Sequence, residues 1–180
     1  MPIDLSARLE RAIRDVPDFP KPGIIFRDVT TLLLQPDLVS EAIDALWKEF
    51  SSRSVTHIVA IEARGFVLGA DLALRQHLPL VLLRKPGKLP AKAMQESYDL
   101  EYGHAALEIH ADALASGDQA LVVDDLLATG GTAAAAGKLV RRCGASIAGY
   151  GFFVELDFLR GRAKLMDAPV ASLLHYKAEG

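Results

Sequence analysis

The most chemically specific stretch of the sequence is residues 121–132, LVVDDLLATGGT. It combines an apolar strand pattern, two adjacent acids and a small-residue turn that begins a helix. Such a turn can hold a phosphate, because glycine lets the backbone approach an anion closely and a helix N-terminus presents unpaired N–H groups. The two acids suit vicinal hydroxyls or a hydrated magnesium ion. We therefore predict two acids, Asp124 and Asp125, beside a phosphate cradle of Ala128, Thr129, Gly130, Gly131 and Thr132.

This stretch differs from two common nucleotide-binding motifs. No Gly-Lys-Ser/Thr completes it, as a Walker loop requires, and it lacks the GxGxxG spacing of a dinucleotide site. The alternative is a purely structural turn in which an aspartate caps the helix. A double acid followed by Thr-Gly-Gly-Thr is too specific a pattern for that alternative to be favoured.

Two further segments carry charges suited to a second anion. Glu62, Ala63 and Arg64 lie where a predicted strand turns into a helix, so backbone N–H groups and the Arg64 guanidinium can converge there. A Pro/Gly-rich loop carries further cations. When this loop is judged without the other motifs, a solvated surface is the favoured interpretation. The cations of this loop are Arg84, Lys85 and Lys88.

Apolar periodicity predicts the elements that position these groups. Continuous apolar runs that alternate with helical patterns indicate an α/β fold, with a central, mostly parallel sheet flanked by helices. In such sheets, ligands bind at the carboxyl ends of the strands. The predicted strands are 57–61, 79–83, 119–123 and 147–154. The predicted helices are a leader helix through Val16, a helix from a cap at Asp37 towards Phe50, and helices over 65–76 and 132–143. Residues 17–36 are predicted to form a rigid proline-rich loop, and 105–109 one arm of a hairpin.

Composition excludes several classes of protein. The formal net charge is −3 and the pI is about 5.9, which argues against a nucleic-acid-binding surface. No apolar run approaches the roughly 18 residues that span a bilayer, so we expect a cytoplasmic protein without membrane contact. The single cysteine, Cys143, cannot form an intramolecular disulfide, and the five histidines show no metal-ligand spacing.

Residues 121–132 resemble the PRPP motif of the type I phosphoribosyltransferase family, where PRPP is phosphoribosyl pyrophosphate. Four more segments are similar to the adenine phosphoribosyltransferases of that family, in the expected order and covering nearly the whole chain. These segments are 18–28 (DFPKPGIIFRD), 62–66 (EARGF), 84–90 (RKPGKLP) and 98–103 (YDLEYG). The resemblance implies a glycosyltransferase of purine salvage that joins adenine to PRPP, giving AMP and pyrophosphate.

The resemblance also implies roles for individual residues. The cradle would grip the 5′-phosphate of PRPP or AMP, and Asp124 and Asp125 would face the ribose hydroxyls. Glu101 would manage the proton that adenine loses, with Tyr102 adjacent to the reacting groups. Adenine would stack on Phe26 and bond to the backbone around it. The implied pyrophosphate site is Glu62, Ala63, Arg64, Arg84, Lys85 and Lys88, with Arg64 and Lys88 also catalytic, and the implied adenine site is Ile25, Phe26 and Arg27.

Further expectations concern organisation, metal and partners. The resemblance implies one domain over residues 1–180, in which 1–36 form a hood and base-binding region and 84–110 form a lid loop and hairpin arm. It implies a homodimer and Mg²⁺ held mainly by PRPP, with Asp124 and Asp125 nearby. Two alternatives stay open: a phosphoribosyltransferase for another base, and a PRPP-sensing regulator that binds nucleic acid.

Overall fold

A five-stranded parallel sheet forms the centre of the computed structural model, which describes residues 4–99 and 104–178. Short 3₁₀ helices cover Val29–Leu34, Asp157–Leu159 and Gly161–Lys164. The remaining elements, in chain order, are α1 (Leu5–Ala12), β1 (Arg14–Pro17), β2 (Ile25–Asp28), α2 (Pro36–Lys48), β3 (His57–Ile61), α3 (Gly65–Gln76), β4 (Leu80–Leu83), β5 (Ala93–Asp99), β6 (His104–His110), β7 (Gln119–Leu127), α4 (Gly131–Arg142), β8 (Ser146–Leu156) and β9 (Val170–Tyr176).

The central sheet has the strand order β4-β3-β7-β8-β9, and each neighbouring pair is parallel. Its strands are apolar on both faces because both faces are covered. Ile58 and Ala60 pack with side chains from α1, α2 and α3, whereas Val59 and Ile61 pack with side chains from α4 and β6. The predicted fold class is confirmed.

Residues 17–36 are more regular than the sequence predicted. β1 and β2 form a two-stranded antiparallel sheet, with Val16 opposite Phe26. Val16 therefore lies in a strand, and the leader helix ends at Ala12 rather than at Pro17. Asp28 accepts hydrogen bonds from Thr30 and Arg14, which lower the pKa of its carboxyl group to about 2. The pairing of β1 with β2 and the Arg14–Asp28 ion pair therefore stabilise strands where the prolines predicted a loop.

Other element boundaries differ from the prediction at their ends. α2 begins at Pro36 with Gln35 as its cap, so Asp37 lies in the first turn and is not the cap. β7 continues through both predicted acids to Leu127, and β9 was not predicted from the sequence. β5 and β6 form the expected hairpin arm. Within the described ranges, no helix combines the length and apolar character needed to cross a bilayer.

Candidate active site

The carboxyl ends of three neighbouring strands bring the predicted charged groups together. β3 lies between β4 and β7, and all three run in the same direction. The residues that end β3, β4 and β7 therefore meet at one edge of the sheet. Glu62 to Arg64 follow β3, Arg84 and Lys85 follow β4, and β7 carries Asp124 and Asp125 near its end. The predicted sheet direction alone accounts for this convergence.

An ion pair between Arg64 and Asp125 lies at the centre of this edge. The Arg64 Nε donates to Asp125 Oδ2 over 2.5 Å, and the Asp125 side chain is buried. Removal from bulk water raises the pKa of the neighbouring Asp124 well above its ordinary value, and repulsion from Asp125 raises it further. Gly65, the first residue of α3, packs directly against Asp124, since a Cβ on Gly65 would lie 2.8 Å from Asp124 Oδ1.

Glu62 organises the cations that follow β4. One of its carboxylate oxygens, Oε2, accepts a hydrogen bond from Arg84 Nε at 3.0 Å and from the Lys85 backbone N–H at 2.8 Å. The Lys85 N–H is the main cause that lowers the pKa of Glu62. Glu62 is an anion, and its two hydrogen bonds orient Arg84 and the Lys85 backbone at this edge of the sheet. Lys88 is exposed, and its carbonyl accepts a 3.5 Å bond from Arg84.

The phosphate cradle lines a small cavity of about 150 Å³, together with Asp124, Leu126, Leu127, Ala133 and Phe152. Gly130 takes a left-handed conformation with φ of 76°, and α4 begins at the next residue. Its Cα lies against the backbone of Gly161, because a Cβ on Gly130 would lie 2.3 Å from the Gly161 carbonyl oxygen. The cavity therefore combines the backbone of a glycine turn, a helix N-terminus and the Asp124 carboxylate, which is an arrangement suited to a sugar phosphate.

Phe26 brings an aromatic surface to the same edge. The Arg64 guanidinium lies 5.7 Å from the centre of the Phe26 ring, and the Phe19 ring meets Phe26 edge to face at 5.2 Å. Arg27, the next residue on β2, is buried, pairs with Asp15 and lies over the Tyr176 ring at 4.1 Å. Its guanidinium thus links β2 to β1 and β9.

Glu101 and Tyr102 lie outside the described residues, while the hairpin that leads to them is described. Glu96 on β5 accepts from Lys138 at 3.0 Å and from Arg142 at 3.2 Å, and both cations belong to α4. The bond from Lys138 is the largest cause that lowers the pKa of Glu96. The hairpin is therefore fixed to the helix that starts at the phosphate cradle.

Sequence patterns did not identify every residue at this site. Phe19 lies within the segment 18–28 and has no pattern that assigns it a role of its own, and Gly161 and Arg162 have no spacing that separates them from an ordinary turn. Glu155, Asp157 and His175 have ligand atoms within 4.8 Å of one another. Glu155 already binds Arg162 through both oxygens, so this group is an ion-pair network rather than a vacant metal site.

Comparison with known proteins identifies this arrangement. Residues 28–167 match the model of the phosphoribosyl transferase domain. The chain is 54% identical to the adenine phosphoribosyltransferase of Gloeobacter violaceus over 92% of this chain and 97% of that protein. The chain belongs to the adenine phosphoribosyltransferase family. The resemblance inferred from the five segments is thereby confirmed.

Solved structures of the family share this fold. The adenine phosphoribosyltransferase of Thermoanaerobacter pseudethanolicus superposes with a TM-score of 0.91 at 45% identity, covering 94% of this chain and 99% of that chain. The Saccharomyces cerevisiae enzyme, solved with an imino-altritol bisphosphate and adenine, has a TM-score of 0.88 at 41% identity, covering 94% and 98%. Membership of the family makes this chain a phosphoribosyltransferase, and therefore an enzyme of the glycosyltransferase type.

Proposed function

We propose that this chain transfers the 5-phosphoribosyl group from PRPP to N9 of adenine, giving AMP and pyrophosphate in purine salvage. The observation that carries this proposal is the position of Arg64, which pairs with Asp125 and lies over Phe26. A cation for pyrophosphate, an acid for ribose and an aromatic face for a base are thus adjacent. The phosphate cradle continues from the same strand that carries Asp125.

The proposed reaction is a displacement at C1′ of PRPP through an oxocarbenium-like transition state. Adenine N9 is the nucleophile, so no side chain has to attack. The cradle fixes the 5′-phosphate, and Arg64, Arg84, Lys85 and Lys88 stabilise the negative charge that accumulates on pyrophosphate. In this proposal Glu101 accepts the proton that adenine loses, with Tyr102 beside it. The remaining contribution is alignment of the two substrates and exclusion of water.

The acids beside the cradle fit a magnesium ion that arrives with PRPP. Mg²⁺ prefers oxygen ligands and keeps several waters, so it is bound by one or two carboxylates together with substrate phosphates. Asp124 and Asp125 supply such carboxylates, and Asp125 can exchange Arg64 for a metal-bound water or a ribose hydroxyl. The ion would neutralise charge on the pyrophosphate group.

We also propose that the enzyme is a homodimer, with 1–36 as a hood and 84–110 as a lid within one domain. Four apolar side chains on α3 and β4 are exposed, and a second copy of the chain would bury them. Val67 and Leu74 are exposed one above the other on α3, and Leu80 and Leu82 are exposed on β4, which ends the described sheet. Light scattering tests the dimer, and Leu74→Glu should convert it to monomers.

We assign the enzyme to the cytoplasm. Cys143 is a free thiol just after α4, and burial raises the pKa of this thiol above its ordinary value. An unreactive, unpaired cysteine suits a reducing compartment, where disulfides are rare.

The decisive experiment mixes the protein with PRPP, Mg²⁺ and one nucleobase at a time, and follows nucleotide formation by chromatography. We expect AMP from adenine and release of pyrophosphate, with no product when PRPP is omitted. Efficient product from guanine, hypoxanthine, xanthine or orotate would replace adenine in the proposal. An absence of any nucleotide, together with retardation of DNA or RNA on a gel, would favour the regulator instead.

A further inference from the structure

A turn that follows β8 packs against the backbone of the phosphate cradle. We call Gly161–Lys164 the buttress turn. A Cβ on Gly161 would lie 2.1 Å from the Ala128 carbonyl oxygen and 2.9 Å from the Gly130 nitrogen. These are backbone atoms that no side-chain rotation can move away. At Gly161 the cradle and the buttress turn therefore touch through their backbones, and a side chain there would separate them.

Arg162 ties this turn to the central sheet. Its Nε donates to Glu155 Oε1 at 3.0 Å and its Nη2 donates to Glu155 Oε2 at 2.5 Å. Its Nη1 donates to the Val170 carbonyl oxygen at 2.5 Å. Glu155 belongs to β8 and Val170 to β9, so one guanidinium links the turn to two neighbouring strands. A bidentate pair with a carboxylate fixes direction as well as distance.

The Glu155 side chain is held in place by burial and by a second hydrogen bond. It is 4% exposed, and Ser172 on β9 donates its hydroxyl to Oε2 at 2.7 Å. Because a buried carboxylate needs a partner, loss of Arg162 would leave an uncompensated charge and allow the turn to move. Glu155 and Arg162 are seven residues apart in the chain, so their pairing closes the segment between them and holds it against the sheet.

The cradle needs such support because its donors are backbone groups. Anion binding through backbone N–H groups depends on their being aimed before the ligand arrives. Displacement of a binding group by about 1 Å can cost about a hundredfold in rate. Gly130 is left-handed and has no side chain to hold it, so contact with Gly161 supplies the constraint.

We propose that Arg162 and Glu155 are positioning residues, which press the Gly161 backbone against the phosphate cradle and so set the affinity for the 5′-phosphate. This inference rests on the proposed function, since it assigns that phosphate to the cradle. Neither residue lines the cavity of the phosphate cradle. Its effect on binding passes through Gly161 to Ala128 and Gly130.

The test compares Arg162→Ala with Arg75→Ala. Arg75 is likewise an ion-paired arginine, but its partners are Asp71 on α3 and Asp44 on α2, away from the cradle. For Arg162→Ala we expect the Kd of ribose 5-phosphate in calorimetry and the KM of PRPP to rise about tenfold or more. At saturating PRPP, kcat and the KM of adenine should change by less than about threefold. Arg162→Lys should recover part of the affinity, and Arg75→Ala should retain all of it.

Two outcomes would overturn the positioning role. One is an unchanged Kd for ribose 5-phosphate in folded Arg162→Ala, and the other is an equal loss in Arg75→Ala. If circular dichroism finds Arg162→Ala unfolded, Arg162→Lys takes its place, because it keeps the charge beside Glu155 and loses the bidentate pair; an unchanged Kd for ribose 5-phosphate in Arg162→Lys would then overturn the proposal. Ribose 5-phosphate binding needs no adenine chemistry. A parent protein that binds ribose 5-phosphate without making AMP would therefore contradict the proposed function and still test this inference.

Discussion

Arg64 and Asp125 neutralise each other across the centre of the site, with 2.5 Å between the Arg64 Nε and Asp125 Oδ2. The cation proposed for pyrophosphate is thus paired with an acid proposed for ribose. When PRPP binds, each residue can exchange the other for a group of the substrate. The Arg64 guanidinium would bind a phosphate, and the Asp125 carboxylate would bind a ribose hydroxyl. The pair therefore holds both groups at the site before substrate arrives.

Arg64→Ala should lower turnover by about a hundredfold or more, since an electrostatic donor to the leaving group is lost. It should also lower the melting temperature of the ligand-free protein, because Asp125 stays beside Asp124 without its counter-charge. Adding Asp125→Asn should restore part of the melting temperature and none of the turnover. Steady-state kinetics and scanning fluorimetry measure both effects. Turnover in Arg64→Ala equal to that of the parent would remove Arg64 from the pyrophosphate site.

Asp124 makes the stability of the ligand-free protein depend on pH. Its raised pKa means that the folded state holds the proton more tightly than the unfolded state, whose pKa is about 3.9. The stabilisation is complete below the unfolded pKa and is lost as pH rises through the folded pKa. Asp124→Asn cannot ionise, so its free energy of unfolding should exceed that of the parent by a margin that grows with pH.

Denaturant unfolding between pH 4 and pH 8 measures this margin. Asp112→Asn provides the matched control, because Asp112 is exposed on the turn after β6 and its replacement also removes one carboxylate. A margin for Asp124→Asn that is constant over this range would contradict the burial argument. The same variant should bind PRPP more weakly, since it loses a proposed contact with ribose.

Gly130→Ala tests the cradle. Alanine in the left-handed region costs about 1–2 kcal/mol, and its methyl group would also collide with the Gly161 carbonyl oxygen. We expect AMP binding in calorimetry to fall to undetectable levels while the circular dichroism spectrum is retained. Gly117→Ala separates the two causes, because Gly117 has φ of 98° and open space where its Cβ would lie. Equal AMP affinity in both variants would remove the steric argument.

The predicted fold was accurate where the signal is periodic and local. The predicted bounds of β3 and α3 are those of the structure. A strand buried on both faces has a continuous apolar sequence that is easy to recognise. The sheet direction then explains why Arg64 meets Asp125. Prediction failed for β1 and β2, since the prolines of residues 17–36 interrupt any local strand pattern and the pairing of Val16 with Phe26 is visible only in the structure.

The buttress turn could not be predicted for a related reason. Gly161 matters because it contacts Ala128, which lies far away in the sequence, and Arg162 matters because it reaches Glu155 on a strand. Residue types alone give an arginine and a glycine in a turn, which is common on any surface. Only the three-dimensional arrangement connects them with the phosphate site.

Lys88→Ala should reduce kcat more than it raises the KM of PRPP. Lys88 is exposed in the present arrangement, so a lid residue of this kind is expected to engage pyrophosphate only as the loop closes. Rapid-quench and steady-state kinetics measure the split. Lys48→Ala, at the exposed end of α2, controls for the loss of a positive charge. A raised KM with kcat intact would mean that Lys88 binds the ground state uniformly.

Base choice is the last prediction, and it separates the Phe26 ring from the β2 backbone. Adenine carries an amino group where hypoxanthine and guanine carry a carbonyl, so a selective site must present an acceptor there. We propose that backbone carbonyls near Phe26 provide it. A 6-oxopurine would leave buried polar groups unpaired, at a cost of roughly 1–3 kcal/mol for each group. We therefore expect kcat/KM for hypoxanthine and guanine to be at least about a hundredfold lower than for adenine.

Phe26→Ala should lower kcat/KM for adenine through lost stacking, because the Phe26 ring lies 5.7 Å from the Arg64 guanidinium at the proposed site. The ratio between adenine and hypoxanthine should stay nearly constant, since the proposed discriminator is the main chain. Phe19→Ala is the matched control, as it removes the ring that meets Phe26 edge to face and leaves the Phe26 face in place. Competition assays with both bases measure the ratio. A ratio that collapses in Phe26→Ala would move the source of selectivity from the backbone to the ring.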